Sequence, residues 1–579
     1  MNFELIIIAM KNITIRRTTF LTMLTSFGLW MGCEDFLNTQ PYGTTTLQTL
    51  SNQTSGAEAL LIAAYSTLDG FSIPFVSLSS AASNWIYGSI AGGDAYKGST
   101  ASDQPVITPF EIHTSLNSTN PYLEGKWTTY YNGIARANDA IKAFRSLNDV
   151  SDELRVKRIA EATFLRGFYH FELRKNFGKV PYLDETIGDV RVGNDKEILP
   201  LIEKDLLYAS AHLPKTQDQP GRITKGAAQA YTGIIKMWQH DYAGAKIYFD
   251  SVINSGRYKL NATYHENFNA EVRNSFESVL EVQQSVNDGA KGANGSIGDW
   301  TNYPWAPGYC CGFHQPSQNL VNAFKTDAAG LPLLDTYNDT DITNDDGLNS
   351  KDPFTPYTGT LDPRLDWTVG RRGLPYLDWG KHPGSHPGWI RNQINGGPYV
   401  PKKNVIYKSQ ESEYADQSTW IVAFTANNLK LLRYADLLLY AAEAEVELGN
   451  LTKALEYVNQ VRSRAANPTG FVMDGTVPAA NYFTKPYVSF PDKDYARKAV
   501  RFERRLELGM EGHRFFDLVR WGVAAEEKNK YFEKEKIKRT HLAQAFFQKG
   551  KNEVLPIPQK AIDLSQRNGK ETLAQNPGY

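Results

Sequence analysis

The chain has 579 residues, room for about four domain-sized units or one large domain. Hydrophobic residues make up 41% and charged residues 22%; both are near globular averages and exclude wholesale disorder and a multi-span membrane protein. Lys+Arg 62 against Asp+Glu 63 gives a net charge of -1, a poor match to DNA or RNA, which reward a basic surface. The aromatic share is 12%, and rings beyond the needs of a core suit flat ligands such as sugars or bases. Three cysteines cannot form a disulfide framework.

The N-terminus reads as a processing signal. Lys11, Arg16 and Arg17 precede an apolar stretch over residues 20–31, too short for a comfortable membrane span. Gly32-Cys33 at its end resembles a bacterial lipobox, with Trp30 where Leu is usual. Residues 1–32 are therefore expected to be a lipoprotein signal peptide and Cys33 the lipidated first residue. Met10 opens the better-shaped signal, so residues 1–9 read as a misplaced start. Acyl chains hold a body to a bilayer at about 0.8 kcal/mol per buried CH₂. Glu34-Asp35 after the cysteine resembles the acidic export tag of surface lipoproteins in Bacteroidetes-type bacteria. Residues 33–56 read as lipidated Cys and tether. No later stretch approaches the roughly 18 apolar residues of a span.

From 57 to 260 helical periodicity dominates, with apolar positions at three- and four-residue steps through 127–139 and 161–173. Gly178 and Pro181 end the second run. Two hairpins share a spacing: Ala245, Phe249 and Val252 in one, Ala454, Val458 and Val461 in the other. The pattern resembles the second helix of a tetratricopeptide repeat, where a small Ala lets the paired helix approach. From 261 to 419 Gly, Pro, Asn, Asp and aromatics replace that periodicity. A long irregular but aromatic-rich region is expected to be a ligand-facing insertion. Helices return over 420–579, including one predicted from Arg501 to Trp521.

Several motifs in order point to one family. They are Cys33-Glu-Asp-Phe36-Leu37, Gly93-Asp94-Ala95-Tyr96-Lys97-Gly98, Glu161-Ala-Thr-Phe-Leu-Arg166-Gly, Gly221-Arg222-Ile-Thr224, Asp362-Pro363-Arg364-Leu365 and Leu432-Arg433-Tyr434-Ala435-Asp436. The most specific are Arg504-Arg505-Leu-Glu507 through Glu511-Gly512-His-Arg514 to Asp517, then Leu555-Pro556-Ile557-Pro558 and the terminal Gln-Asn-Pro-Gly-Tyr. With these the chain resembles the SusD/RagB family of outer-membrane nutrient-binding lipoproteins, partners of SusC-like TonB-dependent transporters. The resemblance implies a mainly α fold: an α-helical superhelix with tetratricopeptide-like helix pairs and a large loop-rich insertion, over 57–579 as one body. It implies an outer-membrane, lipid-anchored, cell-surface protein that binds oligosaccharide or polysaccharide without catalysis and hands it to the transporter. One branch of the family is thought to bind peptides, which is the alternative ligand.

Glu507, Glu511, Arg514 and Asp517 fall at steps of four, three and three, one face of a helix. Paired carboxylates would serve glycoside hydrolysis only if one carried a raised pKa. The arginines at 504, 505 and 514 would keep both ionised, so a structural ion network is expected.

Sugars present CH-rich faces and rings of hydroxyls, which call for aromatic planes rimmed by polar side chains. The densest cluster holds Trp300, Tyr303, Trp305, Tyr309 and His314 on a Pro- and Gly-stiffened backbone. Asp94, Tyr96 and Lys97 on a Gly-rich loop form a second set, while Trp85 reads as core. Trp367, Trp379 and Trp389 with Arg371, Arg372 and Arg391 are a third, as groove wall or as packing. Cys310-Cys311 either close a stiff vicinal disulfide beside the first cluster or stay two buried thiols, the favoured reading. Asp335, Asp339, Asp341, Asp345 and Asp346 could hold calcium, but the EF-hand order is missing and a solvated loop is favoured. His382 and His386 lack the helix that would align them on a metal. No P-loop, dinucleotide fingerprint or Gly-x-Ser-x-Gly element appears, so no cofactor is expected.

Overall fold

The computed structural model describes residues 52–71, 77–306, 310–385, 388–419 and 423–579. The expected signal peptide, Cys33 and most of the expected tether lie outside them. Among the described residues helices dominate, and the strands form only two-stranded sheets.

The N-terminal helices are α1 (Thr54–Ser66), α2 (Pro121–Ser146), α3 (Asp152–Phe177), α4 (Leu199–His212), α5 (Lys225–Trp238) and α6 (Tyr242–Ile253). Their starts are written in the sequence. Asn120 accepts from the Tyr122 amide at 3.0 Å and Pro121 opens α2, a capping side chain followed by a residue with no amide to lose. Ser151 and Asp241 cap α3 and α6 in the same way. Each helix from α2 to α6 packs on the one before it.

The C-terminal helices are α7 (Tyr434–Glu447), α8 (Leu451–Ala465), α9 (Lys493–Leu508), α10 (Arg514–Arg520) and α11 (Ala524–Glu535). α6 packs directly on α7, so the helical array closes across the intervening insertion. Both predicted hairpins form. Ala245, Phe249 and Val252 are fully buried, as are Ala454, Val458 and Val461. In the first hairpin the small residue that matters most is on the facing helix: a Cβ on Gly233 would lie 2.5 Å from the Phe249 ring.

Residues 67–71 and 77–120 depart from the expected long helical run and form short helical segments of at most six residues and one strand. Between α6 and α7 no helix among the described residues exceeds the six residues of Gln318–Ala323. Two strand pairs tie this irregular part to the helices. β1 (Ala95–Gly98) runs antiparallel to β3 (Phe313–Pro316), with Tyr96 opposite Gln315. β2 (Ser278–Val282) runs antiparallel to β4 (Leu429–Arg433), with Ser278 opposite Arg433.

The predicted helix over 501–521 is two helices. α9 ends at Leu508 and α10 begins at Arg514. Met510 and Gly512 take left-handed φ of 70° and 77°, which breaks the helical path. A Cβ on Gly512 would lie 1.9 Å from the Ser83 carbonyl oxygen, so only glycine lets these backbones meet. Glu507 and Glu511 therefore do not share a helix face with Arg514 and Asp517.

They do enter a buried ion network. Glu507 is fully buried and meets Arg364 at 2.9 Å, Arg433 at 2.5 Å, and Arg464. Glu503 pairs with Arg364 and Arg462, both at 2.7 Å. Glu277, just before β2, holds Arg433 at 3.1 Å and Arg464 at 3.0 Å. Glu511 meets Lys403 at 2.7 Å and Arg433 at 2.9 Å. Across the helix break Arg504 holds Asp517 at 3.0 Å and Asp436 at 2.7 Å. Burial pushes the Glu507 carboxyl up, but Arg464, Arg433 and Arg364 outweigh it and hold it far below the usual range. Burial likewise opposes Arg433 and Lys403 at Glu511, and the cations win, at about 2.

Breaking such a pair leaves uncompensated buried charge, so Glu507→Gln should cost about 3–5 kcal/mol in denaturant unfolding. A loss under 1 kcal/mol would mean that the three arginines are compensated without the Glu507 charge. The Glu511 contribution should be complete above its ordinary value of 4.5 and be lost as pH falls toward about 2. Glu511→Gln should flatten the acid limb of the stability profile in that window.

Candidate functional site

The aromatic segment leaves α-helical structure behind and is held by backbone bonds to β3. The Cys311 and Phe313 amides donate to the Thr301 carbonyl at 3.0 and 3.1 Å, and Gly312 donates to Tyr303 at 3.0 Å. Cys310 and Cys311 are joined as a disulfide, the less favoured of the two sequence readings. β1 continues into the same region. A Cβ on Gly98 would lie 2.4 Å from the Gly312 carbonyl oxygen, so the two loops meet backbone to backbone.

The sequence-selected aromatics separate here. Trp305 is 44% exposed. Trp300 and Tyr303 are buried; Trp300 stacks on Phe424 with centroids 5.7 Å apart, and the Tyr303 hydroxyl donates to the Asn404 carbonyl at 3.2 Å. They form the support beneath the loop. Tyr309 lies outside the described residues. His314 is buried, and burial lowers its pKa to about 3, so the ring is neutral. It lines a cavity of about 30 Å³, far below the roughly 300 Å³ at which ligand pockets begin.

Asp94, Tyr96 and Lys97 are interior rather than ligand-facing. Their polar atoms are already engaged. Asp94 pairs with Arg505 at 3.2 Å. The Tyr96 hydroxyl donates to Glu535 and accepts from the Gln318 amide at 3.2 Å. Lys97 Nζ donates to the Thr100 and Asp103 carbonyls, both at 2.7 Å. Burial lowers the Lys97 ammonium to about 8, so it stays mostly charged at neutral pH and staples the 99–103 loop.

That staple leads back to Trp305. The Asp103 carboxylate accepts from Arg391 Nη1 at 2.5 Å, and Arg391 also donates to Ser99 Oγ at 2.8 Å. The Arg391 guanidinium lies 4.5 Å from the centre of the Trp305 ring, within cation–π range. The Trp305 amide donates to the Trp389 carbonyl at 2.8 Å. Trp305, Arg391 and Asp103 thus form an indole plane with a charged polar rim, assembled from three loops. Arg391 was visible in the sequence only as a neighbour of the third Trp cluster. Asp103 carries no sequence signal, because nothing in Ala101-Ser102-Asp103 distinguishes it from an ordinary polar loop.

The rest of the third cluster is packing. Trp367 stacks on His265 at 4.0 Å and its Nε1 donates to the Gly470 carbonyl at 2.7 Å. Trp379 Nε1 donates to the Ile406 carbonyl at 3.0 Å, and Trp389 is buried on Tyr376. Arg371 holds Asp366 at 2.7 Å, and Arg372 donates to the Ser350 and Asp352 carbonyls. Trp85 is fully buried. The acidic run meets cations from other elements: Asp335 meets Lys498 at 2.7 Å, Asp339 meets Lys534 at 3.2 Å, Asp341 meets Lys538 at 3.0 Å and Asp346 meets Arg539 at 2.6 Å. His386 lies outside the described residues.

A helical-repeat scaffold that carries an aromatic platform on an irregular insertion defines the class. The model of the SusD family matches residues 276–579, so the chain belongs to that family. A second model, described as starch-binding associating with outer membrane, matches residues 77–236. SusD-like protein P25 of Formosa agariphila is 24% identical, with 85% of this chain and 87% of that protein covered. The starch-binding protein SusD of Bacteroides thetaiotaomicron is 24% identical over 74% of each chain. Among solved structures, a laminarin-binding SusD-like protein superposes with a TM-score of 0.64 at 24% identity, covering 91% of this chain and all of that one. Surface glycan-binding protein A from B. thetaiotaomicron in complex with laminarihexaose gives 0.62 at 22% identity, covering 90% and 99%.

Hydroxyl-radical footprinting should oxidise Trp305 far faster than Trp300, Trp389 or Trp85. Asp103→Ala should free Arg391 from the ring and raise the Trp305 rate further. Equal rates at Trp300 and Trp305 would contradict this placement.

Proposed function

We propose that this protein captures complex-glycan oligosaccharides at the cell surface, without cleaving them, and delivers them to a TonB-dependent transporter in the outer membrane. The exposed Trp305 plane with the Arg391 and Asp103 rim is the observation that carries the reading. An indole face matches the CH-rich face of a pyranose, and the rim supplies a donor and an acceptor for ring hydroxyls. Tyr309, next to the disulfide, remains a proposed contact on sequence grounds, while Trp300 and Tyr303 act as the support. Laminarin, laminarihexaose and starch in the names of similar proteins point to the same ligand class. Lipidation at Cys33 would hold the body to the outer membrane, and the family description "associating with outer membrane" agrees with that location.

The electrostatics of the one carboxylate pair that the sequence offered support binding without catalysis. Glu507 is buried among three arginines and kept ionised. A glycosidase acid needs a proton near neutral pH.

Affinity electrophoresis of residues 34–579 through laminarin, starch and other polysaccharides tests the proposal. One glycan should retard the protein. Trp305→Ala should weaken that binding about 30-fold, the effect of losing an aromatic anchor, with an unchanged melting temperature. Retardation by no glycan, with peptides recovered from the native protein by mass spectrometry, would replace glycan by peptide as the ligand.

A further inference from the structure

A second cleft shares no lining residue with the Trp305 platform. It lies where α9, α10 and α11 face the loop around Tyr337, and its volume is about 460 Å³. That falls within the range of small-ligand sites. Trp521 and Tyr337 supply partly exposed rings along its wall.

Two arginines in this cleft lack the partners that other arginines of the protein have. Arg364, Arg433, Arg462 and Arg504 each hold a carboxylate at 2.5 to 2.8 Å. Arg501 holds none. Its guanidinium lies 4.8 Å over the Trp521 ring, and its Nε is buried with no hydrogen-bond partner. The carboxylates that act on Arg501 are engaged elsewhere: Glu443 by Arg520 at 2.5 Å and by Trp521 Nε1 at 3.0 Å, and Glu447 by Arg497 at 2.6 Å. Of the acids that line the cleft, Asp335 meets Lys498 at 2.7 Å and Asp339 meets Lys534 at 3.2 Å, beside Glu527 and Glu533. Arg514 opens α10, and its one carboxylate contact among the described residues is Glu527 at 3.4 Å. That is well beyond the 2.7–2.9 Å of a strong charge-assisted bond.

Partly desolvated cations without matched anions cost free energy, which an arriving anion recovers. Burial lowers the pKa of both groups. Arg497 and Arg520 add to the effect at Arg501, and Arg505 adds to it at Arg514. The planar guanidinium fork fits a carboxylate or sulfate by paired hydrogen bonds. We propose that this cleft binds an oxyanion carried on a saccharide, a uronate carboxylate or a sulfate ester, through Arg501 and Arg514. The saccharide carrier rests on the glycan reading above; the anion site rests on the two arginines. A glycan that reached both sites would be selected by an apolar face at one and by its charge at the other.

The test titrates the mature chain with methyl β-D-glucuronide, glucose 6-sulfate, methyl β-D-glucoside and inorganic sulfate by calorimetry at low salt. At least one charged sugar should bind and the neutral glucoside should not. Arg501→Gln should weaken that binding about tenfold or more, the worth of one charge-assisted hydrogen bond. Its melting temperature should change little, because the substitution removes the contact with the Trp521 ring but no carboxylate partner. Its retardation by neutral glycan at the Trp305 platform should be unchanged. Arg514→Gln should weaken the same charged sugar. Comparing the glucuronide with the sulfated sugar identifies which anion is read. Absence of binding by both charged sugars, or undiminished binding in Arg501→Gln, would overturn the site. Inorganic sulfate binding as tightly as glucose 6-sulfate would overturn the saccharide assignment. Loss of neutral-glycan retardation in the wild-type protein, with charged-sugar binding intact, would count against the platform and not against this cleft.

Discussion

Glu507 is the point on which the rest of the structure hangs. Its carboxylate is buried on α9 and meets arginines from three separate segments: Arg364 in the insertion, Arg433 at the end of β4, and Arg464 on α8. Glu277 repeats two of those pairings from the start of β2. The irregular insertion has little secondary structure of its own to hold it. It is fixed because its arginine and the β2–β4 pair converge on one buried charge. Each member is desolvated, so each is costly alone and tolerable only with all its partners present. That makes the network a specification of which segments must meet, rather than a large net source of stability.

The platform at the surface depends on the same logic at smaller scale. Lys97 is buried and gives its donors to loop carbonyls; that loop presents Asp103; Asp103 orients Arg391; Arg391 covers one side of Trp305. A Trp on an unsupported loop would have to be ordered on binding, at a cost in entropy. Here the β1–β3 pair, the Thr301 carbonyl bonds and the buried Trp300 hold the backbone before any ligand arrives. Preorganisation by interior side chains explains why the Gly93–Gly98 segment is conspicuous in the sequence while its side chains face inward.

The helices were legible because their signals are local. Apolar positions at three- and four-residue steps, the stop at Gly178 and Pro181, and the small-residue spacing of the two hairpins appear as sequence patterns. The break between α9 and α10 was not legible, because it depends on Gly512 meeting the Ser83 carbonyl oxygen, a contact more than four hundred residues away in the chain. The site was half legible. Aromatic density pointed to the loop that carries the proposed platform but could not separate Trp305 from Trp300, since exposure is a tertiary property. Asp103 was invisible, because its role comes from Arg391, which arrives from a distant segment. The carboxylate at 507 was read as part of an ion network, but with the wrong partners: Arg504, Arg505 and Arg514 pair elsewhere, and Arg364, Arg433 and Arg464, all distant in sequence, hold it.

The most direct test of the central claim is a crystal structure of the protein with the oligosaccharide of whichever glycan retards it. A sugar ring lying flat on Trp305, with hydroxyls bonded to Arg391 or Asp103 and the Glu507 network unmoved, is the result this account predicts. An oligosaccharide bound elsewhere with Trp305 bare, or its cleavage beside Glu507, would contradict it.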